Sequence, residues 1–123
     1  MQYVLLVSIG GALGATARHG INQLMAAKFG SSLLGTMIAN ISGSFALGLF
    51  VGLLASQADW SGETRAFIAI GFLGSYTTFS TLSVETVQML QQGDFSTASL
   101  NLGGSILFGI LAALAGLLVG KLV

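Results

Sequence analysis

Four long apolar segments alternate with short polar connectors along this chain. An α-helix that crosses a bilayer needs about 20 predominantly apolar residues, and each segment is close to that length. The connectors hold most of the charged residues, so the apolar stretches end where charge begins. The pattern predicts a single domain, residues 1–123, whose four transmembrane helices lie near residues 3–27, 33–56, 66–90 and 98–123.

Composition favours a membrane protein over a soluble one. Hydrophobic residues make up 54% of the chain and charged residues 7%, whereas soluble domains carry about 25% charged residues. The chain has 18 glycines, which suit helices whose backbones approach closely in lipid. We therefore predict an all-α, multi-pass integral membrane protein that contacts a lipid bilayer. We expect the first segment to be retained, because no basic residue precedes it as a signal peptide requires.

Small residues recur every four positions in three of the segments. This spacing places them on one helix face and indicates close helix packing. It does not identify which helices meet, within one chain or between two copies. The three faces are Gly10 with Gly14, Ser44 with Gly48 and Gly52, and Ala112 with Gly116 and Gly120.

The third segment contains the most unusual stretch of the chain, residues 71–83, which read GFLGSYTTFSTLS. Glycine and hydroxyl side chains both weaken the regular helical hydrogen-bond ladder. In a membrane, irregular backbone persists only where it is buried in protein or lines a watery cavity. This stretch is therefore the main candidate for the functional part of the protein.

The second segment places three polar residues on one helix face. Thr36, Asn40 and Ser44 recur every four positions. A side-chain amide within hydrocarbon is costly and usually finds a partner. The row is either a structural hydrogen-bonding face between helices or a row of donors along an aqueous path.

Charged residues within the segments leave their roles open. Arg18 either extends to the membrane interface or supplies positive potential at the mouth of a path. Glu85 is either a proton-coupling carboxylate or a partner for Arg18 or a backbone amide. With one histidine, no cysteine and four carboxylates, no catalytic constellation is recognisable, so we expect no enzyme. We also expect no nucleic-acid partner.

The candidate groups suit a small ion without deciding its sign. An amide, several hydroxyls and the edge of an aromatic ring can replace the hydration shell of a small anion. Hydroxyl and carbonyl oxygens can equally coordinate a cation. Charge also leaves the orientation open, since Arg65 and Lys121 lie on one side and Arg18 and Lys28 towards the other. This balance gives almost no positive-inside bias, so a single orientation and an antiparallel pair remain equally compatible with it.

The motifs resemble those of the Fluc (CrcB) family of small bacterial fluoride channels. Residues 71–74 followed by 77–81 resemble the family's third-helix signature. Gly35 and Thr36 with Asn40 and Gly43 resemble its second-helix motif, and Gly10, Gly11, Gly14 and Arg18 resemble its first-helix motif. The resemblance extends over nearly the whole chain in the same order.

The resemblance implies a four-helix subunit that pairs into an antiparallel, dual-topology homodimer in the bacterial inner (plasma) membrane. Two fluoride pores would pass through the dimer and allow passive fluoride export and fluoride resistance. The third helix would be broken at its midpoint. A structural sodium ion would be held there by backbone carbonyls of Gly74 and Thr77 from both subunits.

The resemblance also implies which side chains fluoride meets. Asn40 of the second helix and Phe79 of the third would contact the ion, and Arg18 would lie near the vestibule. Hydroxyls of the third and fourth helices would form a polar track, which corresponds here to Thr78, Ser80, Ser83 and Ser105.

Two positions depart from the family pattern. A second phenylalanine is common where this chain has Leu82, which keeps the bulk but lacks the electropositive ring edge. This position still belongs to the expected pathway. In the fourth segment, Asn101 occupies a position where the family has other residue types.

Two other classes of protein remain as alternatives. One is a dual-topology exporter of the small multidrug resistance type, which needs a membrane carboxylate and would have to use Glu85, since no acidic residue precedes Asp59. The other is a non-transporting assembly subunit, in which the hydroxyl run would serve packing alone.

Overall fold

The computed structural model describes residues 1–56 and 59–123, and within these ranges every regular element is helical. Four helical stretches are long and apolar enough to cross a membrane, which confirms the four-span prediction. They are α1 (Gln2–Phe29), α2 (Leu33–Ser56), a segmented third span (Gly62–Gln91) and α6 (Phe95–Leu122). Their ends lie within a few residues of the hydropathy boundaries.

The third span is irregular along most of its length. It begins with α3 (Gly62–Arg65), continues as a π-helical segment (Ala66–Leu73) and the short α4 (Gly74–Tyr76), and resumes as α5 (Phe79–Gln91). Between α4 and α5 the backbone is extended, with φ −86° and ψ 155° at Thr77 and φ −153° and ψ 122° at Thr78. The expected break in the third helix is therefore consistent with the structure and falls at residues 77–78.

Thr78 also begins the helix that follows the break. Its Oγ1 accepts a hydrogen bond from the Thr81 backbone N–H at 3.3 Å, as an N-cap residue does. The threonine after the break therefore helps to start α5, because its hydroxyl replaces a missing helical acceptor.

The small-residue faces pack within the chain. α2 lies against α6, where a Cβ added at Gly48 would collide with the Ala113 carbonyl and one added at Gly116 would collide with the Phe45 carbonyl. α1 lies against the third span, where a Cβ at Gly14 would collide with the Phe72 carbonyl. These faces bring helix backbones of one subunit together and are not free for a second copy.

Short connectors join the helices. Gly30 ends α1 and Gly93 leads into α6, both with positive φ (69° and 76°), which glycine adopts without a Cβ clash. Asp94 caps α6, and its Oδ1 accepts the Thr97 backbone N–H at 3.2 Å. These hydrogen bonds from Thr97 lower the pKa of Asp94 from its usual value.

The outer surface of the described chain is largely apolar. Large aliphatic side chains such as Leu100, Ile110 and Ile70 are each more than 60% exposed. Such a surface suits hydrocarbon and not water. It leaves the polar chemistry of the chain concentrated around the break in the third span.

Candidate functional site

Asn40 holds the break in the third span through two hydrogen bonds. Its Nδ2 donates to the Thr78 carbonyl at 3.0 Å, and the Thr78 backbone N–H donates to Asn40 Oδ1 at 2.7 Å. Extended backbone in a membrane would otherwise leave these two groups unpaired, which costs several kcal/mol per group (about 2–7). The half-buried amide therefore has a structural partner, and it reaches that partner at the candidate functional stretch.

One turn earlier on α2, Thr36 reaches the same span. Thr36 is fully buried, and its Oγ1 donates to Glu85 Oε1 at 2.9 Å. The other carboxylate oxygen, Oε2, is buried and has no hydrogen-bond partner among the described residues. The sequence left Arg18 or a backbone amide as possible partners of Glu85, whereas the structure pairs it with a threonine hydroxyl.

Ser44, the third member of the polar row, does not reach the third span by a hydrogen bond. Its Oγ donates to the carbonyl of Asn40 in its own helix, at 2.7 Å. The row thus divides into two residues that bond across to the third span and one that bonds within α2.

A groove of about 270 Å³ lies beside the break. We call it the central groove. Five residues expected on the ion pathway line it: Asn40, Thr78, Phe79, Leu82 and Ser105. Thr77, which is expected at the cation site, lines it as well. Its lining is Asn40, Gly43, Ser44, Leu47, Thr77, Thr78, Phe79, Leu82, Ser105 and Ile106.

The central groove contains an unpaired hydroxyl. Ser105 is only 6% exposed, and its Oγ has no hydrogen-bond partner within the described part of the chain. A buried hydroxyl without a partner is costly, so this oxygen has hydrogen-bonding capacity that the described part of the chain does not use.

Phe79 and Leu82 occupy opposite extremes of exposure in the same groove. The Phe79 side chain is 77% exposed, whereas Leu82 is 5% exposed. Phe79 therefore forms part of the open rim, and its ring is accessible to an ion or to a neighbouring subunit. Leu82 forms part of the packed wall.

The remaining expected pathway residues lie elsewhere. Ser80 lines a second groove of about 390 Å³ on another side of α5, which also includes Ser32, Thr81 and Glu85. Ser83 lines neither groove, and its Oγ donates to the Phe79 carbonyl at 2.9 Å. Arg18 is half-buried in the second half of α1 and does not line the central groove. The expected hydroxyl track is thus distributed around α5 and not gathered in one groove.

The break also frees backbone carbonyls. Thr77 donates from both its N–H and its Oγ1 to the Leu73 carbonyl, at 3.1 and 3.0 Å, and the Thr78 N–H is used by Asn40. Among the backbone hydrogen bonds outside the regular helices of residues 1–56 and 59–123, none has the Gly74 or the Thr77 carbonyl as its acceptor. Gly74 is exposed on this single chain. Unpaired carbonyls of an unwound helix suit a sodium ion.

The described residues contain no alternative metal site built from acidic, histidine or cysteine side chains. No group of three such side chains that could hold a metal occurs among the described residues.

Sequence reasoning missed a hydroxyl pair next to the break. Tyr76 Oη lies 3.0 Å from Ser42 Oγ, which joins α4 to α2. The tyrosine stood within the singled-out stretch, but its partner could not be read from spacing, because spacing does not fix how one helix is rotated against another.

The two positions that depart from the family pattern are joined in the structure. Asn101 is 4% exposed and its Nδ2 lies 3.5 Å from Thr86 Oγ1. Thr86 Oγ1 in turn donates to the Leu82 carbonyl at 2.8 Å. Asn101 is thus a buried amide that is linked through Thr86 to the backbone of Leu82, and it lines a separate groove with Met37 and Leu100.

Comparison with known proteins gives matches over nearly the whole chain. Residues 5–117 match the family described as CrcB-like protein, Camphor Resistance (CrcB). The chain is 43% identical over 119 residues to a protein of Hydrogenovibrio crunogenus named fluoride-specific ion channel FluC, covering 96% of this chain and 90% of the relative.

Other bacterial relatives bear similar names. The fluoride-specific ion channel FluC 2 of Nitrobacter hamburgensis is 41% identical over 118 residues, covering 95% of this chain and 94% of the relative. The fluoride-specific ion channel FluC of Thermus thermophilus is 41% identical over 121 residues, covering 98% and 96%. The similarity extends over nearly the whole length of each protein.

Proposed function

Because this chain belongs to the CrcB family, we propose that it is a passive fluoride channel through which fluoride leaves the cell. The protein is a multi-pass bacterial membrane protein and not an enzyme. An inside-negative membrane potential drives fluoride outward and favours the exit of each ion by about 2.3 kcal/mol per 100 mV. Export therefore needs an open, selective path and no separate energy source.

The central groove is the observation that carries this proposal. It combines a side-chain amide, a buried hydroxyl without a partner and an accessible aromatic ring at Asn40, Ser105 and Phe79. Fluoride loses a strong hydration shell on entering a membrane protein, so it needs hydrogen-bond donors in its place. A groove with donors and no lining carboxylate or cationic side chain can bind the anion and release it again.

Asn40 can serve both the backbone and the ion. A side-chain amide has two N–H donors, and the Thr78 carbonyl takes one. The second N–H is free to point towards an ion in the groove. Thr78, Ser80 and Ser83 would extend the path around α5, Leu82 would form its wall, and Arg18 would raise the local anion concentration near an entrance.

Two copies of the chain would complete the pathway. The groove is open on one side, and Phe79 on its rim is exposed. A second copy related by a two-fold axis would cover that side and create two equivalent paths, one per groove. The even division of basic residues suits antiparallel partners inserted in both orientations. Arg18 and Lys28 lie towards one side, and Arg65 and Lys121 lie towards the other.

A sodium ion would join the two broken helices at the centre of this dimer. The free carbonyls of Gly74 and Thr77 from each copy would hold it. It would supply a fixed positive charge that ties the subunits together. The protein's own contribution is to keep these oxygens unpaired and correctly spaced.

Proton-coupled export by Glu85 is the alternative that one observation favours. Glu85 Oε2 is buried without a partner in the described chain, as a proton-exchanging carboxylate could be. An exporter of that kind would need a pH gradient and would lose transport on Glu85→Gln. The proposed channel would move fluoride at equal pH on both sides, driven by membrane potential alone.

Growth of a fluoride-sensitive bacterium tests the proposed function in cells. We expect expression of this chain in a strain that lacks its own fluoride exporter to restore growth in fluoride-containing medium. The Asn40→Asp variant, expressed to the same level, serves as the control and should not restore growth. Failure of the wild-type protein to rescue growth despite normal membrane expression would count against a fluoride channel.

A further inference from the structure

Ser42 and Tyr76 form a hydroxyl pair whose direction follows from its geometry. Ser42 Oγ lies 2.6 Å from the Ile38 carbonyl and donates its single hydrogen there. Its contact with Tyr76 Oη, at 3.0 Å, must then use the tyrosine hydrogen. Tyr76 therefore donates to Ser42, and the pair fastens the last residue of α4 to α2.

Packing fixes the ring of Tyr76 as well as its hydroxyl. The ring stacks on Phe72, with centroids 5.8 Å apart and an interplanar angle of 14°. Its Cδ1 would lie 3.1 Å from a Cβ added at Gly43, so the glycine leaves the space that the ring occupies. The ring is held between its own span and α2.

The pair lies on the opposite side of Thr77 from the Asn40 contact. Before Thr77, Tyr76 is tied to Ser42, and after it, Thr78 is tied to Asn40. Ser42 and Asn40 lie on the same helix, so α2 holds the extended backbone from both sides. The carbonyl of Thr77 lies between these two fixed points.

We propose that Tyr76 and Ser42 are positioning residues that set the geometry of the Gly74 and Thr77 carbonyls, and thereby the affinity of the break for sodium. This inference rests on the proposed function, since it concerns the same cation site. Neither hydroxyl needs to touch the ion. They act by limiting rotation of the backbone between Gly74 and Thr77, so that its free oxygens keep a spacing suited to a cation.

A sodium titration of two variants tests the pair. Tyr76→Phe keeps the ring and its stacking on Phe72 but removes the donor, and Ser42→Ala removes the acceptor. We expect each variant to need about fivefold more sodium for half-maximal effect, because one hydrogen bond contributes about 1 kcal/mol. The double variant should show about the same shift as either single one, because the two act as one unit.

Two readouts and two controls accompany the titration. The thermal midpoint of the purified dimer is followed as sodium replaces choline at constant ionic strength, and fluoride efflux from liposomes is followed over the same range. Ser8→Ala is the matched control, since the Ser8 hydroxyl donates to the Val4 carbonyl of its own helix and bonds to no other helix in the described chain. Ser42→Thr keeps an acceptor hydroxyl and should return the sodium dependence to the wild-type value.

Unchanged sodium dependence in Tyr76→Phe and Ser42→Ala would overturn the inference, as would a double variant whose shift is the product of the single shifts. A wild-type protein without fluoride efflux would refute the channel, while the melting titration would still decide on the pair. If the thermal midpoint of the wild-type protein does not change with sodium concentration, both the cation site and the positioning role are overturned.

Discussion

The side-chain amide of Asn40 and the backbone of Thr78 exchange two hydrogen bonds, at 3.0 and 2.7 Å. One residue of α2 thereby satisfies both backbone groups of a residue whose helix is interrupted. The contact places the amide at the break and on the wall of the central groove at once. The backbone irregularity and the proposed ion path therefore depend on the same side chain.

Asn40→Asp should greatly reduce fluoride flux. The carboxylate keeps an acceptor for the Thr78 N–H but loses the donor to the Thr78 carbonyl, and its charge repels an anion. Because the carboxylate replaces two N–H donors with a negative charge beside the path, we expect a loss of about tenfold or more in liposome efflux, which corresponds to about 1.4 kcal/mol. Ser8→Ala, far from the break, serves as the control. Normal flux in folded Asn40→Asp dimers would remove Asn40 from the pathway.

Ser105→Ala should separate transport from stability. Because Ser105 Oγ is buried and has no partner in the described chain, its removal should leave the thermal midpoint unchanged or raise it, and it should lower fluoride flux severalfold. Ser56→Ala is the comparison variant in which a structural hydroxyl is removed. The Ser56 hydroxyl donates to the Gly120 carbonyl at 3.1 Å and joins α2 to α6. That variant should melt earlier and conduct normally. The reverse pattern would place Ser105 in the packing and not on the path.

Leu82→Phe should give a folded, conducting channel. Leu82 is 5% exposed but lines the central groove, so a larger ring has adjacent space. Met89→Phe is the control, because Met89 is equally buried in α5 and does not line that groove. The larger ring at position 89 should overpack the interior and lower the free energy of unfolding by about 1–3 kcal/mol. Size-exclusion profiles, melting and efflux compare the two, and a misfolded Leu82→Phe protein would mean that this position is packed and not part of the path.

The start of α6 should carry a pH-dependent share of stability. Hydrogen bonds from Thr97 lower the pKa of Asp94 below its usual 3.8 in the folded protein. Its stabilising effect is therefore complete above that value and is lost as pH falls through the lower folded pKa. Asp94→Asn keeps a cap without titrating. As the pH is lowered below about 4, the thermal midpoint of the wild type should fall more than that of this variant. If the thermal midpoints of both proteins change equally with pH, the capping role is contradicted.

The four spans could be predicted from the sequence because hydropathy determines which segments enter a bilayer. The break could be anticipated because glycines and hydroxyls are concentrated in residues 71–83 and resemble a known motif. Its position at Thr77 and Thr78 follows from local chemistry, since a threonine cap can start the next helix.

The partners across helices could not be predicted. The pairing of Glu85 with Thr36, the Ser42–Tyr76 pair and the distribution of Ser80 and Ser83 around α5 all depend on how one helix is rotated against another. Residue spacing defines a face of one helix but not what that face meets. The small-residue faces show the same limit, because only the structure assigns them to contacts within one chain.

Ion efflux from liposomes that contain the purified wild-type protein tests the central claim most directly. Fluoride is followed with an electrode after a potassium ionophore is added, chloride is followed in parallel, and the pH is equal on both sides. Rapid loss of fluoride with chloride retained is the result that a selective channel through the central groove predicts. Retention of fluoride by liposomes with verified, folded dimers would contradict the channel and direct attention to Glu85 and proton-coupled export.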